Sequence, residues 1–415
     1  MQLKLFKNIC METNSYSLKL INPLSIKLNY AAGVTFIFFA FLPWVNFGTN
    51  SRDTQIWPLL FGLLFLLTSY RYKYDSKEIS IASLPLFALV VWFFFSENVM
   101  DFIALRAIIS YLAFTVCFLA FIVFVKKYNF PWKLIVSINL LYLIIGIIQT
   151  YIPNIVSSIV TARGLDSSGR GVTGLTSEPT FFGIFLFFIS YLYLAKTNFK
   201  PNFKISLMIF INVLSIIFLT KSSTVALFII LAIPFLAITR LSFKMLFLSC
   251  VFIVITLLLI PILLEDSRLI LLYESAQEIG IMNLIFLDGS INDRVANVIY
   301  PLHGFYLNNF LPGGFHSFTN MHAYLTDYYL GFFNYGSGGT SILSYIGVFV
   351  YELGFIGVLF LMWIFFLIQN GSFKRFMDTS LLFILLNSSI PPSLPIIPFI
   401  FALFLIKNSS SNEDD

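Results

Sequence analysis

The stretch RGVTGLTSEPTFFG, residues 170–183, places polar and flexible residues directly before an apolar run. Glu178 precedes Pro179, and proline is favoured at the first position of a helix. We therefore expect Glu178 at the N-terminus of an apolar helix. A carboxylate there can cap the helix and interact favourably with its dipole, or it can face a site formed by neighbouring loops and accept a proton. Both interpretations stay open.

Cations in the same loop and in other external segments could hold an anionic group. They are Arg163 and Arg170 in the same loop, Arg294 in a second long polar segment, and Lys221 in the sequence TKSST. Arginine binds diphosphate in bidentate geometry and keeps its charge near neutral pH. Converging cations of this kind predict an anionic substrate group. The alternative is that each cation is an ordinary solvated loop charge.

All three histidines, His303, His316 and His322, fall in one aromatic-rich polar segment. Their spacing matches neither a helical i,i+4 pair nor a familiar zinc pattern, so we expect no metal site. One of them could transfer a proton, and the other two are expected to line an aromatic pocket.

Glu352 lies inside the apolar sequence SYIGVFVYELGFIG. On a continuous helix that starts near residue 340, it would sit about twelve residues, or roughly 18 Å, into the span. A carboxylate at that depth is a candidate functional residue. The alternative is that it pairs with another buried polar group, such as Arg106, for structural reasons alone.

The amino-acid composition indicates which kind of structure positions these residues. Of the 415 residues, 58% are hydrophobic and 11% are charged, against about 25% charged in soluble proteins. Apolar segments of about 20 residues, the length that crosses a bilayer, recur throughout the chain. We therefore expect an all-α integral membrane protein. The three cysteines indicate neither a disulfide framework nor a zinc site, and the net charge of +5 does not indicate nucleic acid binding.

Membrane spans are expected near residues 29–47, 55–70, 79–96, 102–125, 132–152, 179–195, 203–219, 222–239, 243–264, 340–368, 376–390 and 393–407. Polar residues and prolines shorten the last two spans, namely Asn387, Ser388, Ser389, Pro391 and Pro392. The number is therefore eleven or twelve, and a re-entrant pair is an alternative. With the N-terminus in the cytoplasm, 18 of the 25 Lys and Arg residues fall on the cytoplasmic side, as the positive-inside rule requires. Both termini are therefore predicted to be cytoplasmic.

This topology divides the chain into tails, spans and two long external loops. In order, these are the tail 1–28, spans 1–9 in 29–264 with an external loop at 154–178, a large external loop at 265–339, spans 10–12 in 340–407, and the tail 408–415. The large loop, between spans 9 and 10, has too many aromatic residues for a solvated tail. It is expected to be partly helical, with amphipathic helices at 267–280 and at 292–310, the second broken at Pro301.

Several of these segments together resemble the bacterial O-antigen and exopolysaccharide repeat-unit polymerases (Wzy type), which belong with the O-antigen ligases. GRGVTGLTSEPTFFG looks like the family's arginine, glycine and Glu-Pro stretch, and FLTKSSTVAL looks like its short polar turn, with Lys221 where an arginine is usual. NDRVANVIYPLHGFYLNNFLPGGFHSF and YELGFIGVLF are similar to its second loop and following Glu-Leu-Gly segment. Ser344 stands where ligases carry a histidine, which favours a polymerase.

The resemblance implies a GT-C-like glycosyltransferase that polymerises undecaprenyl-diphosphate-linked oligosaccharide repeat units at the outer face of the bacterial cytoplasmic membrane. Donor and acceptor are both lipid-linked, the leaving group is the lipid diphosphate, and neither a metal nor another cofactor is implied. A chain-length regulator protein is an optional further partner, and no nucleic acid is expected.

The same resemblance implies roles for the residues already named. Cations would stabilise the departing diphosphate, a base would accept the hydroxyl proton, and aromatic rings would stack on sugars. The cations are Arg170 and Arg294, helped by Arg163 and Lys221; the competing bases are Glu178, His316 and His322; and the further substrate contacts are His303, Tyr324 and Glu352.

Two other functions stay open. A flippase or transporter for lipid-linked oligosaccharide would also need about twelve spans and buried charge, but it is expected to show two similar halves, and the sequence shows no internal repeat. An O-antigen ligase would move finished glycan to a different acceptor.

Overall fold

The computed structural model describes residues 23–46, 55–96, 102–160, 171–240, 274–278, 280, 283, 289–333, 339–369, 371–388, 390 and 392–411. All regular secondary structure within these ranges is helical. The all-α class predicted from the sequence is therefore confirmed.

Helices follow one another along the described ranges. They are α1 Pro23–Ala40, α2 Trp57–Thr68, α3 Ser76–Ala82, α4 Leu84–Phe95, α5 Phe102–Tyr128, α6 Trp132–Tyr151, α7 Pro179–Lys196, α8 Phe203–Ser215, α9 Ser223–Arg240, α10 Gly289–Leu307, α11 Phe318–Tyr328, α12 Tyr345–Glu352, α13 Gly354–Ile368, α14 Phe373–Leu385 and α15 Ile396–Ser411. Pro153–Val156 forms a 3₁₀ turn, and Ile216–Thr220 extends α8 as one π-helical turn.

Five helical segments in the described residues are long and apolar enough to cross a membrane. They are Ser76–Phe95, Ala104–Tyr128, Trp132–Tyr151, Pro179–Lys196 and Phe203–Thr220. The first combines α3 and α4, and shorter apolar helices occur within α1, α2, α9, α13 and α15. These helices agree with a multi-pass membrane protein. The predicted span at 243–264 lies outside the described residues.

The centre of the bundle is formed by α5, α7 and α15. Phe121 of α5 stacks on Phe399 of α15 with ring centroids 4.1 Å apart. Tyr142 of α6 stacks on Phe185 of α7 at 4.0 Å. Because α7 is apolar around almost its whole circumference and buried along nearly its whole length, it has the pattern of a helix enclosed by others.

The end of α15 binds the ends of two other helices. The Lys407 ammonium donates to the backbone carbonyls of Ala195 and Lys196 at the end of α7, the second at 2.9 Å. Asn408 Nδ2 donates to Leu367 O at 3.0 Å and to Ile368 O at 2.9 Å, at the end of α13. Two consecutive residues thus satisfy terminal carbonyls that have no partner within their own helices.

The helix α10 runs through Pro301 instead of breaking there. Asn292, Ala296 and Tyr300 are buried at four-residue spacing, so one face of the helix packs inward. The proline lies against Gly347 of α12, where an added Cβ would be 3.2 Å from the Pro301 side chain. Packing against α12 therefore holds the helix together where proline removes a backbone hydrogen bond, and the predicted break is wrong.

The continuous span expected at 340–368 is divided in two. Ser344 caps α12 by accepting a hydrogen bond from Gly347 N at 3.0 Å. The helix ends at Glu352, and Gly354 adopts a φ of +59° as α13 begins. Glu352 is therefore the last residue of a short helix, and its predicted depth inside one long helix is wrong.

Candidate functional site

A cavity of about 440 Å³ lies where α5, α7 and α12 meet the segments that follow α10 and α11. The described residues that line it are Trp44, Arg106, Ala107, Ser110, Tyr111, Phe181, Gly314, His316, Phe318, Gly339, Thr340, Ser341, Ile342, Leu343, Val348, Glu352, Pro392 and Ser393. Its volume falls in the ~300–1,000 Å³ range of small-molecule sites. Its wall combines aromatic rings and hydroxyls with a guanidinium, an imidazole and a carboxylate.

Glu352 is held at this cavity by Tyr111 of α5. The Tyr111 hydroxyl donates to Glu352 Oε2 at 2.8 Å, and the tyrosine is 1% exposed. Its ring packs edge-on against Phe349 and Phe315, with centroids 5.2 Å and 5.8 Å away. Because the two partners are 241 positions apart in the chain, this bond brings α5 and α12 together at the carboxylate.

The sequence LPGG, residues 311–314, fixes the backbone beside Glu352. Gly313 N donates to Tyr351 O at 2.8 Å, and Gly314 N donates to Glu352 O at 3.3 Å. Gly314 has a φ of +78°, and a Cβ at this position would overlap the carbonyl of Phe95. The turn therefore depends on glycine, and it connects the large loop to the end of α12.

His316 reaches the same cavity from this turn. It is exposed and has a φ of +64°, a left-handed conformation that is uncommon outside glycine but that histidine adopts more often than most residues. Such conformations cluster at functional sites. Among the predicted site residues that the structure describes, His316 and Glu352 share the cavity.

Arg106 lines the cavity from α5, one turn before Ser110. It is exposed, and across the described ranges no ion pair joins its guanidinium to Glu352. The partner of the carboxylate is the Tyr111 hydroxyl, so the pairing suggested for Arg106 is wrong. The guanidinium lines the cavity without neutralising the carboxylate in a direct contact.

Glu178 occupies the N-cap position of α7, as predicted. Its carbonyl accepts a hydrogen bond from Phe182 N at 3.1 Å, but its carboxylate makes no capping hydrogen bond to the first turn within the described structure. The carboxylate lies at the positive end of the helix dipole. Glu178 does not line the cavity, whereas Phe181 does, and it stacks on Trp44 with centroids 6.1 Å apart.

Gln149 of α6 holds the loop that leads to Glu178. Its Nε2 donates to Thr173 Oγ1 at 2.9 Å, and its Oε1 accepts from Gly174 N at 2.7 Å. Thr176 Oγ1 lies 2.7 Å from the carbonyls of both Thr173 and Glu178. Gln149 was not among the residues predicted from the sequence, although a polar side chain within an apolar span is itself a signal.

Lys221 follows the π-helical turn with a φ of +47°. Val172 N donates to Leu219 O at 2.8 Å beside it, and a Cβ at Gly171 would overlap that carbonyl. The TKSST turn and the segment before Glu178 therefore form one unit. Lys221 does not line the cavity.

The two other histidines lie in an aromatic cluster on α10 and α11. His303 Nδ1 is 2.9 Å from the Tyr329 hydroxyl, and its ring packs edge-on against Tyr328 at 4.9 Å. His322 packs against Tyr300 at 5.6 Å, and partial burial lowers the pKa of its imidazole below the ordinary value. Both have the aromatic surroundings expected for two of the three histidines, and neither lines the cavity.

Arg294 and Tyr324 lie on the same two helices, outside the cavity wall. Arg294 of α10 is partly buried, and Tyr324 of α11 is 53% exposed. The proposed roles of Arg163 and Arg170 concern residues outside the described ranges, and so these roles stay predictions.

A scan against protein-family models finds no match for the chain, and no curated protein matches it. The function is therefore inferred from the cavity and from the residues that line it.

Proposed function

We propose that this chain is a membrane glycosyltransferase that polymerises undecaprenyl-diphosphate-linked oligosaccharide repeat units into O-antigen, capsular polysaccharide or exopolysaccharide. The proposal includes a GT-C-like fold with eleven or twelve crossings, cytoplasmic termini, and a cavity at the outer face of the bacterial cytoplasmic membrane. It is supported by helices in eleven of the twelve predicted segments; the twelfth, 243–264, lies outside the described residues.

The composition of the cavity wall is the observation that carries the proposal. Glycosyl transfer from a lipid diphosphate needs a cation for the leaving group, an acceptor for the hydroxyl proton, and polar and aromatic surface for sugar rings. Arg106 can serve the first need, and Glu352 or His316 the second. Hydroxyls of Ser110 and Ser341, with several aromatic rings, line the remaining wall.

In the proposed reaction, an acceptor hydroxyl attacks the anomeric carbon of the donor's first sugar. The bond between that carbon and the diphosphate oxygen breaks, and its electron pair leaves with the diphosphate. Glycosidases protonate a poor leaving group with a carboxylic acid, but diphosphate is already a weak base and needs its charge stabilised instead. Arg106 is the cation that lines the cavity in the described structure, whereas Arg294 and Lys221 lie outside its wall. Arg163 and Arg170, which lie outside the described residues, stay proposed as further contributors.

The test is polymerisation by the purified full chain in detergent with lipid-linked repeat units. A ladder of lengthening products supports the proposal. A single transfer to a different acceptor would indicate a ligase. In a second assay with the chain reconstituted into vesicles, movement of lipid-linked oligosaccharide across the bilayer without a new glycosidic bond would indicate a transporter.

A matched pair of variants links the activity to this cavity. We expect Arg106→Ala to lower the rate by about 10²–10³, the usual effect of removing one group that stabilises developing charge. Lys200→Ala removes a cation outside the cavity wall and is expected to keep the wild-type ladder.

A further inference from the structure

The positions of the candidate bases reduce the number of residues that can accept the proton in this reaction. Of the candidate bases in the described ranges, Glu352 and His316 line the cavity. Glu178 lies at the start of α7 outside its wall, and His322 packs among the rings of α10 and α11. A base must come within about 2.6–3.2 Å of the proton it accepts, directly or through one water. The choice therefore falls between Glu352 and His316.

Glu352 has the more defined orientation. Its Oε2 is bound by the buried Tyr111 hydroxyl, and its backbone carbonyl is bound by Gly314 N. An ionised carboxylate offers about four acceptor positions on two oxygens, and Oε1 accepts no hydrogen bond from the residues that the structure describes. Glu352 can therefore hold a substrate hydroxyl at Oε1 while Tyr111 fixes the rest of the group.

Glu352 and His316 differ in how far they are buried, and Glu352 also lacks an ion-pair partner among the described residues. His316 is exposed on a turn, whereas Glu352 is partly buried and its partner is fully buried. Arg106 lines the same cavity but does not ion-pair with Glu352 in the described ranges. Its charge stays available for an anionic leaving group, and the carboxylate stays available as a proton acceptor.

We propose that Glu352 accepts the proton of the attacking hydroxyl and that Tyr111 positions it; this inference rests on the proposed glycosyl transfer. The hydroxyl oxygen forms a bond to the anomeric carbon while its proton passes to Glu352 Oε1. The bond from that carbon to the diphosphate oxygen breaks, and the electron pair leaves with the diphosphate. The products are the lengthened glycan, the lipid diphosphate anion and a protonated Glu352, which then releases the proton to water.

Substitution of the carboxylate is the first test, in the detergent assay with lipid-linked repeat units as donor and acceptor. Glu352→Gln should lower kcat by about 10²–10⁴, the usual contribution of a general base, with little change in KM. Glu352→Asp should recover part of the activity, and His316→Gln should lose less than Glu352→Gln. Glu274→Gln is the control, because Glu274 is exposed and lies outside the cavity wall.

Tyr111→Phe is the second test, and it keeps the ring that packs against Phe315 and Phe349. The charged and titratable groups that face Glu352 are Tyr111 and Arg106 on α5 and His316 on the turn, with Tyr345 of α12 near the Tyr111 hydroxyl. Because a donated hydrogen bond stabilises the ionised carboxylate, its loss should move the acid limb of the pH–rate profile to higher pH. A purely structural tyrosine would alter the yield of folded protein without moving that limb.

The outcomes separate this inference from the proposed function. A wild-type chain that makes no ladder contradicts the glycosyltransferase itself. A normal wild-type ladder with an equally fast Glu352→Gln variant contradicts the role of Glu352 and leaves the function in place. If the Glu352 variants do not fold, the pH–rate profile of Tyr111→Phe decides: an unshifted acid limb refutes the inference.

Discussion

The backbone N–H of Val172 donates to the carbonyl oxygen of Leu219 at 2.8 Å. This bond joins the segment that leads to Glu178 with the TKSST turn, so the two polar stretches that interrupt the apolar sequence are in direct contact. Gly171 adjoins the bond and faces the carbonyls of Leu219 and Thr220. The position of the segment that leads to Glu178 therefore depends on a close approach between its backbone and that of the TKSST turn.

Gly171→Val should displace this loop, because its Cβ would overlap the backbone of the TKSST turn. Overpacking of this kind typically costs about 1–3 kcal/mol. We expect a lower thermal midpoint in detergent and a shorter product ladder. Gly331→Asn is the control, since nothing lies within 4 Å of a Cβ there and asparagine tolerates the left-handed conformation. An unchanged midpoint for Gly171→Val would show that the approach is not tight.

Gly354→Ala and Gly371→Ala form a matched pair. Both glycines have left-handed φ angles, +59° and +76°, so both variants carry the same backbone penalty of about 1–2 kcal/mol. A Cβ at Gly354 would also overlap Pro312, whereas nothing lies within 4 Å of one at Gly371. We expect Gly354→Ala to lower the free energy of unfolding by about 1–3 kcal/mol more than its partner, and to impair activity because Glu352 is two residues away. Equal thermal midpoints would contradict the close contact.

Acid should destabilise the protein partly through His322. Burial lowers the pKa of its imidazole in the folded chain, so the unfolded chain takes up this proton first as the pH falls. The contribution to stability is fully present above the ordinary pKa of about 6.5 and is lost at lower pH. His322→Gln should therefore lose less thermal stability than the wild type between about pH 8 and about pH 5. Parallel losses in the two proteins would exclude this residue as the cause.

Lys407→Met should loosen the junction between α15 and α7. The ammonium donates to two backbone carbonyls and, at 2.6 Å, to Asn198 Oδ1, and hydrogen bonds from charged donors contribute about 1.5–3 kcal/mol. We expect a thermal midpoint several degrees lower, measured in detergent. Lys374→Met, at an exposed position, removes the same charge without these bonds, and its midpoint should match the wild type. A similar fall in both variants would point to net charge instead.

Short sequence patterns predicted some helix boundaries correctly and others wrongly. The start of α7 could be predicted because Glu178 and Pro179 carry the signal in adjacent positions. The predicted helix break at Pro301 was wrong because the helix packs there against Gly347, which belongs to a different part of the sequence. The helix boundary near Glu352 could not be predicted from the apolar segment around it, because it lies at a left-handed glycine, Gly354, that Pro312 approaches from a different part of the sequence.

The cavity could be predicted only in fragments. Glu352 and His316 were identifiable as a carboxylate in an apolar segment and a histidine in a polar loop. Tyr111 was not, because a tyrosine in an apolar span carries no local mark of its function. Only folding brings its hydroxyl to a carboxylate 241 positions away.

The pair Lys407–Asn408 also bears on biogenesis. These two residues leave the ribosome after α7 and α13, whose terminal carbonyls they bind. The hydrogen bonds from Lys407 and Asn408 to the ends of both earlier helices can therefore form only after the last part of the chain has been synthesised. A chain that ends before residue 407 would lack the four hydrogen bonds that join α15 to the ends of α7 and α13.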